Sequence, residues 1–312
     1  MTAATAAKST AQANRGTIFV EDALLTCIRE YPGQQFVLRL AAENCAQRAR
    51  AGSFVHIRCD DGIPMRRPLS IMRTSAEAGW IELLFKITGD GLQALGRQQV
   101  GATLSIVGPI GRGFAPNPKR PRVLMIGGGV GIPPLIFLAE QLLRDDVAWI
   151  PTVLMGSELP FPFELSRSEL PTEWLPPGIV SSIALLESRG IPARLASLSG
   201  FAGCFEGYVT DLARTCLDAQ SAAALAQTEI FSCGPTPMLQ AVARLASEFR
   251  LPCQVALEEF MACAVGGCAG CTVLVQTEQG PAMKRVCVDG PVFETSAVFP
   301  DDAAVAGAGK AR

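Results

Sequence analysis

The stretch "CAVGGCAGC", residues 263–271, separates three thiols by four and then two residues, and a fourth, Cys287, follows after fifteen more. Cys263, Cys268, Cys271 and Cys287 supply soft thiolate donors, and C-x4-C-x2-C with a distant fourth cysteine is the spacing that ligates a 2Fe–2S cluster. Three thiolates must converge on one side of a compact inorganic core while backbone N–H groups point at its sulfides. Ala264, Gly266, Gly267, Ala269 and Gly270 carry no bulk, so the chain can wrap that closely. Cys287 is expected to close the site from a later strand. Two alternatives compete. Structural zinc more often uses paired C-x2-C knuckles, and only one such pair occurs here. Four free thiols buried in one Gly/Ala loop is the blandest reading.

A 2Fe–2S cluster moves one electron at a time and needs a group to exchange it with. In "RRPLSI", residues 66–71, Arg67 stands three before Ser70, so on an extended segment the guanidinium can pair with a diphosphate while the serine reaches toward a ring. In "LFKITGDGLQAL", residues 84–95, Lys86 precedes a Gly-Asp-Gly turn into a short helix with free amides for phosphate. Each motif is weak alone; a surface arginine before a strand explains the first as well. "MIGGGVGIPPL", residues 125–135, runs a buried strand into Gly127, Gly128, Gly129, Val130 and Gly131, and Pro133 or Pro134 opens a helix whose amides form an anion site. It is no G-x-G-x-x-G fingerprint, because a proline holds the third glycine position. "CGPTPML", residues 233–239, repeats the design, with Cys233, Gly234 and Pro235 at a strand end where open α/β sheets bind ligands. A purely structural turn and an ordinary buried cysteine are the competing explanations.

Three textures along the chain supply elements for these residues. Residues 17–115 hold short alternating runs, "TIFVEDALLTCIRE", "QQFVLRLAAE", "SFVHIRC", "IELLFKIT" and "TLSIVGPI", which predict an antiparallel barrel. "PNPKRP", 116–121, reads as a linker. Strand and helix patterns then alternate to about Arg250: "RVLMIGGG", "PPLIFLAEQLLRD", "PTVLMGS", "SSIALLES", "EIFSCG" and "TPMLQAVARLASEF" predict a parallel sheet. Residues 251–300 add strand-like "CQVALEE", "CTVLVQT" and "KRVCVDG" around the cysteines, too few for a sizeable core without a bound cluster. The expected architecture is a multidomain α+β chain: a flexible arm over 1–16, an antiparallel β-barrel over 17–117, a parallel α/β nucleotide-binding domain over 118–250, a small 2Fe–2S domain over 251–300 and a flexible tail over 301–312.

Composition narrows the function classes. The 312 residues are 49% hydrophobic and 18% charged with a formal net charge of −2, so nothing basic suggests nucleic acid. Residues 123–143 approach the length of a membrane span, but two prolines and four glycines break it into strand, turn and helix. Eleven cysteines without a signal peptide fit metal ligation or free thiols in a reducing cytoplasm better than disulfides. The single histidine, His56, lies in an alternating run and reads as half-buried, so chemistry that depends on several imidazoles is excluded.

The segments R-P-L-S, G-G-G-V-G-I-P-P-L, C-G-P-x-P-M-L and "LEEFMACAVGGCAGCTV…KRVCVDGPVF" together resemble the ferredoxin–NADP reductase superfamily, and within it the electron-transfer subunits of NAD-dependent dihydroorotate dehydrogenases, over about residues 17–300. The resemblance implies FAD held by Arg67, Pro68, Leu69 and Ser70, with Leu84, Phe85, Lys86, Gly91 and Leu92; NAD framed by Gly127–Gly131 and Cys233–Pro235; and a 2Fe–2S cluster on Cys263, Cys268, Cys271 and Cys287. It implies an oxidoreductase subunit of pyrimidine biosynthesis in the cytoplasm. It would take electrons from an FMN-containing dihydroorotate dehydrogenase catalytic subunit, two of each chain, and deliver them to NAD⁺ without binding dihydroorotate itself. Leu92 stands where the family has threonine, and Ala264 replaces the glycine after the first cluster cysteine. "LMGSELPFPFE" lacks clustered arginines, which favours NAD over NADP. Similar subunits serve NAD(P)H–ferredoxin and sulfhydrogenase-type reductases, and a non-enzymatic metal-binding adaptor is the reading from another class.

Overall fold

The structure, a computed structural model, describes residues 16–172 and 174–304. The arm expected over 1–16 lies outside the described residues except for Gly16, as does the tail beyond Ala304.

Six strands close the barrel: β1 (Phe19–Tyr31), β2 (Gln35–Ala41), β3 (Phe54–Ile57), β4 (Arg67–Ser75), β5 (Trp80–Lys86) and β6 (Thr103–Ile110), in the order β1-β2-β5-β4-β3-β6. The strand that carries Arg67 and Ser70 is therefore part of the barrel wall. Two short helices, α1 (Glu43–Arg48) and α2 (Asp90–Gly96), sit in the connections. Alternation sends one set of side chains inward, as in any half-buried strand: Leu25, Leu38, Leu40, Ile57, Ile71, Ile81, Leu83 and Ile106 are fully buried. Phe36 stacks on Phe85 at 5.4 Å and 13°.

The second body is a seven-stranded sheet. β7 (Arg122–Gly128) runs through a single 3-10 turn, Gly129–Gly131, into α3 (Pro133–Leu142), followed by β8 (Ile150–Gly156). Next come β9 (Leu165–Arg167), β10 (Ser181–Ile183), α4 (Ala184–Glu187), β11 (Ala193–Ser197), β12 (Phe205–Glu206), α5 (Val209–Asp218), α6 (Ala222–Leu225), β13 (Thr228–Cys233), α7 (Thr236–Phe249) and β14 (Cys253–Ala256). The hairpin β15 (Thr272–Thr277) and β16 (Gly280–Arg285) then leads through α8 (Val286–Asp289) to β17 (Val292–Glu294), α9 (Thr295–Val298) and α10 (Pro300–Ala304). The sheet order is β12-β11-β8-β7-β13-β14-β17, parallel throughout except for β17. No helix among the described residues is long and apolar enough to cross a membrane.

Four expectations need correction. "SSIALLES" does not enter the main sheet: Ser181–Ile183 pairs antiparallel with β9, and "ARLAS" at β11 takes the sheet position because all five of its residues are buried. "CQVALEE" belongs to the large sheet, where β14 extends the parallel set beside β13 and β17 caps its edge. Cys287 lies on the helical turn α8, since the ladder of β16 ends at Arg285. The segment expected as a flexible tail from Asp301 is ordered where it is described, because Pro300–Ala304 is helical and Asp302 pairs with Arg244 of α7 at 2.7 Å. Truncating Phe85 to alanine would open a cavity in the barrel core and lose its stack on Phe36. Urea unfolding of the barrel should then show a loss of about 3–5 kcal/mol.

Candidate functional site

The sheet order reverses between β7 and β13: β8 lies on one side of β7, and the chain later returns to the other side. Such a switch point is where open α/β sheets bind ligands, and both glycine motifs end there, with Gly127 opposite Cys233. A Cβ on Gly131 would lie 2.5 Å from the Gly234 nitrogen and 2.6 Å from the Cys233 carbonyl carbon. The two loops thus touch backbone to backbone, and only glycine fits. Pro133 opens α3 and Pro235 precedes α7, so two helix N-termini converge beside the turn and favour an anion. Val130 is partly exposed at its tip. Burial holds the Cys233 thiol well above its ordinary range, and the charge of Glu258 pushes it the same way. It is therefore a neutral wall of the site and no nucleophile at neutral pH. Beside it, a cavity of about 380 Å³ is lined by Gly234, Pro235, Leu257, Glu258, Val273 and Phe299 among others.

The barrel motifs also meet. A Cβ on Gly91 would lie 3.0 Å from the Arg67 guanidinium, so the R-x-x-S strand and the Gly-Asp-Gly turn form one corner. Gly89 opens that turn at φ +108°, a backbone glycine adopts freely. Leu84 and Phe85 are buried in the wall, leaving the end of β5 at the half-buried Lys86. Leu92 packs against the barrel core and offers no hydroxyl. On β3 and β4 the pairs Val55–Leu69 and Phe54–Ser70 alternate, as do Ile57–Arg67 and His56–Pro68. Val55 and Leu69 join the barrel core, whereas Phe54 packs in the cluster of apolar residues around the cysteine loop. Ser70, Pro68 and His56 share that outer face. His56 is 1% exposed, not half-buried as its alternating run implies, and it hydrogen-bonds the backbone of Met261 at the start of the cysteine segment. Burial and, in the same direction, the nearby Arg66 charge keep its imidazole below the usual range, so it is neutral. Its Nε2 has no partner.

The cysteine loop sits directly on this face. Met261, Ala264, Cys271, Val286, Cys287 and Val288 pack with Phe54 and Ile110 of the barrel. Arg112 N–H donates to the Gly290 carbonyl at 2.6 Å, and Leu257 N–H donates to that of Pro291 at 2.9 Å, which explains why "DGP" follows the last cysteine. Cys271 and Cys287 approach to 3.3 Å between sulfurs. The Cys268 N–H points at Cys263 Sγ at 3.4 Å and the Gly270 N–H at Cys268 Sγ at 3.4 Å. Burial raises the Cys263 thiol, but N–H groups of Val265, Cys268 and Gly267 outweigh it and bring it down to about 7. Cys287 is pushed up to about 12 by burial first and by the adjoining Cys271 second. Cys271 and Cys287 are buried, Cys263 is half-buried and Cys268 is exposed, so the loop presents one rim to solvent.

This arrangement fits a two-iron cluster. Amides aimed at sulfur stabilise thiolates, and a two-iron core takes two thiols at each iron, which suits the close Cys271–Cys287 pair. Among the described residues no three His, Cys, Asp or Glu side chains gather tightly enough to hold one ion. The loop turns at left-handed residues, Ala264 at φ +56°, Gly266 at +83° and Ala269 at +54°. Two braces were not singled out from the sequence. Arg285 donates to the Gly266 carbonyl at 2.9 Å, and Asp289 accepts from the Arg285 N–H at 2.9 Å. Their only sequence signal is a charge pair flanking Cys287. Of the seven remaining cysteines, all free, Cys45, Cys59, Cys216 and Cys253 are buried with thiols raised by desolvation, which makes them inert.

Residues 258–299 match the family described as the iron–sulfur cluster binding domain of dihydroorotate dehydrogenase B, and residues 33–114 match the oxidoreductase FAD-binding domain. The chain is 30% identical over 273 residues to the dihydroorotate dehydrogenase B (NAD(+)) electron transfer subunit of Shouchella clausii, covering 86% of this chain and 94% of that one. It is 30% identical to the subunit of the same name from Desulforamulus reducens, covering 88% and 96%. Among solved structures, the NADH-dependent reduced ferredoxin-NADP oxidoreductase superposes with a TM-score of 0.72 at 25% identity over 91% of each chain. A ferredoxin reductase of carbazole 1,9a-dioxygenase superposes at 0.57 and 19% identity over 75% and 67%, which shows the fold.

Three outcomes follow from the loop. A left-handed alanine costs roughly 1–2 kcal/mol, whereas glycine costs about 0.5–1 kcal/mol in chain entropy. Ala269→Gly, at an exposed position, should therefore stabilise the cluster-free chain by about 0.5–1 kcal/mol in urea unfolding. Ala264→Gly also loses a buried methyl worth about 0.8 kcal/mol and should be near neutral. In the cluster-free chain, iodoacetamide should label Cys263 ahead of Cys233, Cys253 and Cys45, with a rate that rises through about pH 7 as its thiolate forms. Peptide mapping across a pH series reads both.

Proposed function

Because this chain belongs to the family of dihydroorotate dehydrogenase B (NAD(+)) electron transfer subunits, we propose that it carries electrons through a 2Fe–2S cluster and FAD to NAD⁺, taking them in pyrimidine biosynthesis from an FMN-containing catalytic partner that oxidises dihydroorotate. The partner pairs with it in the cytoplasm, two of each chain. The observation that supports this most is the seating of the cysteine loop on the outer face of β3, beside Pro68 and Ser70 of the flavin motif.

Each body of the chain has one holding task. Residues 17–117 hold FAD: Arg67 and the Gly91–Leu92 turn grip the diphosphate, Pro68 and Ser70 line the ring side, Leu69 backs them from the barrel core, and Leu84, Phe85 and Lys86 supply the supporting strand end. Residues 118–250, completed by β14 and β17, hold NAD between Gly127–Gly131 and Cys233–Pro235. Residues 251–300 would hold the cluster through the thiols of Cys263, Cys268, Cys271 and Cys287, of which Cys271 and Cys287 already stand 3.3 Å apart. When bound, these groups supply single-electron exchange at the irons and conversion to hydride chemistry at the flavin. The protein's own share is alignment and the exclusion of side reactions. His56 and Cys233 are both neutral and enclosed, so neither acts as an acid or base at the ring. The end of β8 leads to Ser157 and Glu158 without an arginine cluster, which favours NAD over NADP. On the same cysteine segment as the exposed Cys268, Phe260 is 94% and Val265 51% exposed, apolar side chains left open for the catalytic partner.

The superposition on the NADH-dependent reduced ferredoxin-NADP oxidoreductase favours a second reading in which a different redox protein is the mate. Purification of the native complex separates the two by the companion obtained, an FMN enzyme or another flavoprotein. The isolated, cofactor-loaded chain should oxidise NADH with ferricyanide as acceptor and form no orotate from dihydroorotate. Orotate formation by this chain alone would contradict the assignment.

A further inference from the structure

Helix α3 follows the Gly127–Gly131 turn directly, and one of its faces lies on the barrel. Glu140, 1% exposed on that face, is gripped from two sides. Arg73 donates to Glu140 Oε1 from Nε at 3.1 Å and lies 3.0 Å from it through Nη2, while Arg189, after α4, reaches the same oxygen at 3.1 Å. Arg73 stands on β4, the strand that carries Arg67 and Ser70, three residues beyond Ser70. Its other arm donates to Glu82 Oε2 at 3.2 Å, and Glu82 Oε1 takes Arg39 at 2.7 Å, with both arginines over the Trp80 ring at 5.7 and 4.3 Å. Flanking bonds add to the contact: Gln141 Oε1 accepts from Ala51 N–H at 3.1 Å, and Arg144 donates to the Thr74 carbonyl at 3.3 Å.

The ion chain Arg39–Glu82–Arg73–Glu140–Arg189 therefore runs from the barrel wall through α3 into the sheet domain. The strand assigned to FAD and the helix that follows the turn assigned to NAD meet at a single buried carboxylate. We propose that Glu140 is a positioning residue for hydride transfer, its carboxylate fixing α3 against β4 and with it the offset between the nicotinamide and flavin sites. The inference rests on the cofactor assignment above. A buried charge with well-placed partners has one geometry, and a small misplacement of reacting rings is felt in rate before it is felt in binding.

The test uses the holo chain with NADH and ferricyanide. Glu140→Gln keeps the shape but weakens the hold on Arg73 and Arg189. It should lower kcat about tenfold, with KM for NADH and FAD content close to wild type. The long-wavelength charge-transfer absorbance of reduced enzyme with NAD⁺ should weaken in parallel, and Glu140→Asp should recover part of both. Arg189→Gln, milder because Arg189 is partly exposed, should act in the same direction. Arg214→Ala, which breaks the exposed Arg214–Glu248 pair within the sheet domain, should leave kcat unchanged. Wild-type kcat and absorbance in Glu140→Gln would overturn the proposal, as would a kcat loss matched by loss of FAD. If Glu140→Gln does not fold, Arg189→Gln decides by the same two readouts. A wild-type chain whose flavin is not reduced by NADH would instead overturn the cofactor assignment, and this proposal with it.

Discussion

The cysteine loop has to lie against the outer face of β3, and that contact governs the rest of the architecture. A region of about fifty residues cannot bury enough apolar surface to stand alone. Here it borrows a core from its neighbours: Phe54 and Ile110 of the barrel pack with Ala264, Cys271, Val286 and Cys287. The polypeptide holds the same place through main-chain bonds, from Arg112 to Gly290 and from Leu257 to Pro291. The packing that stabilises the loop also sets it beside the strand of Pro68 and Ser70. Stability and electron transfer thus depend on one interface.

Charge is arranged to match. Where a redox group needs anionic ligands, backbone amides converge and Cys263 ionises easily. Where no side-chain chemistry is wanted, burial keeps Cys233 and His56 neutral. Between the barrel and the sheet domain, buried carboxylates and guanidinium groups are paired rather than left bare, except for Glu140 Oε2, which has no hydrogen-bond partner. Such a network specifies a relative orientation more than it adds stability, because desolvation consumes much of its Coulomb energy.

Much of this was legible in the residues. Helix α7 fills the span of "TPMLQAVARLASEF", since proline marks its start and an unbroken apolar stripe carries it to Phe249. Both glycine turns at strand ends were legible too, whereas the contact of Gly131 with Gly234 depends on the pairing of β7 with β13. What escaped was non-local. "SSIALLES" and "ARLAS" carry similar short apolar patterns, and only the pairing partner decides which enters the sheet. β14 looked like part of the cysteine region because sequence adjacency, unlike strand order, says nothing of sheet membership. His56 looked half-buried because alternation reveals two faces but not that a later segment meets the outer one. Glu140 sits in a helix sequence that gives no sign of its partners, sixty-seven residues earlier on β4 in the case of Arg73.

The most direct measurement is diffraction from crystals of the cofactor-loaded chain at the iron absorption edge. The account predicts two iron peaks bonded to the sulfurs of Cys263, Cys268, Cys271 and Cys287, with the flavin ring on the barrel face that carries Pro68, Ser70 and His56. A single metal ion shared by the four thiols, or a flavin ring on the side of the barrel away from the loop, would contradict it.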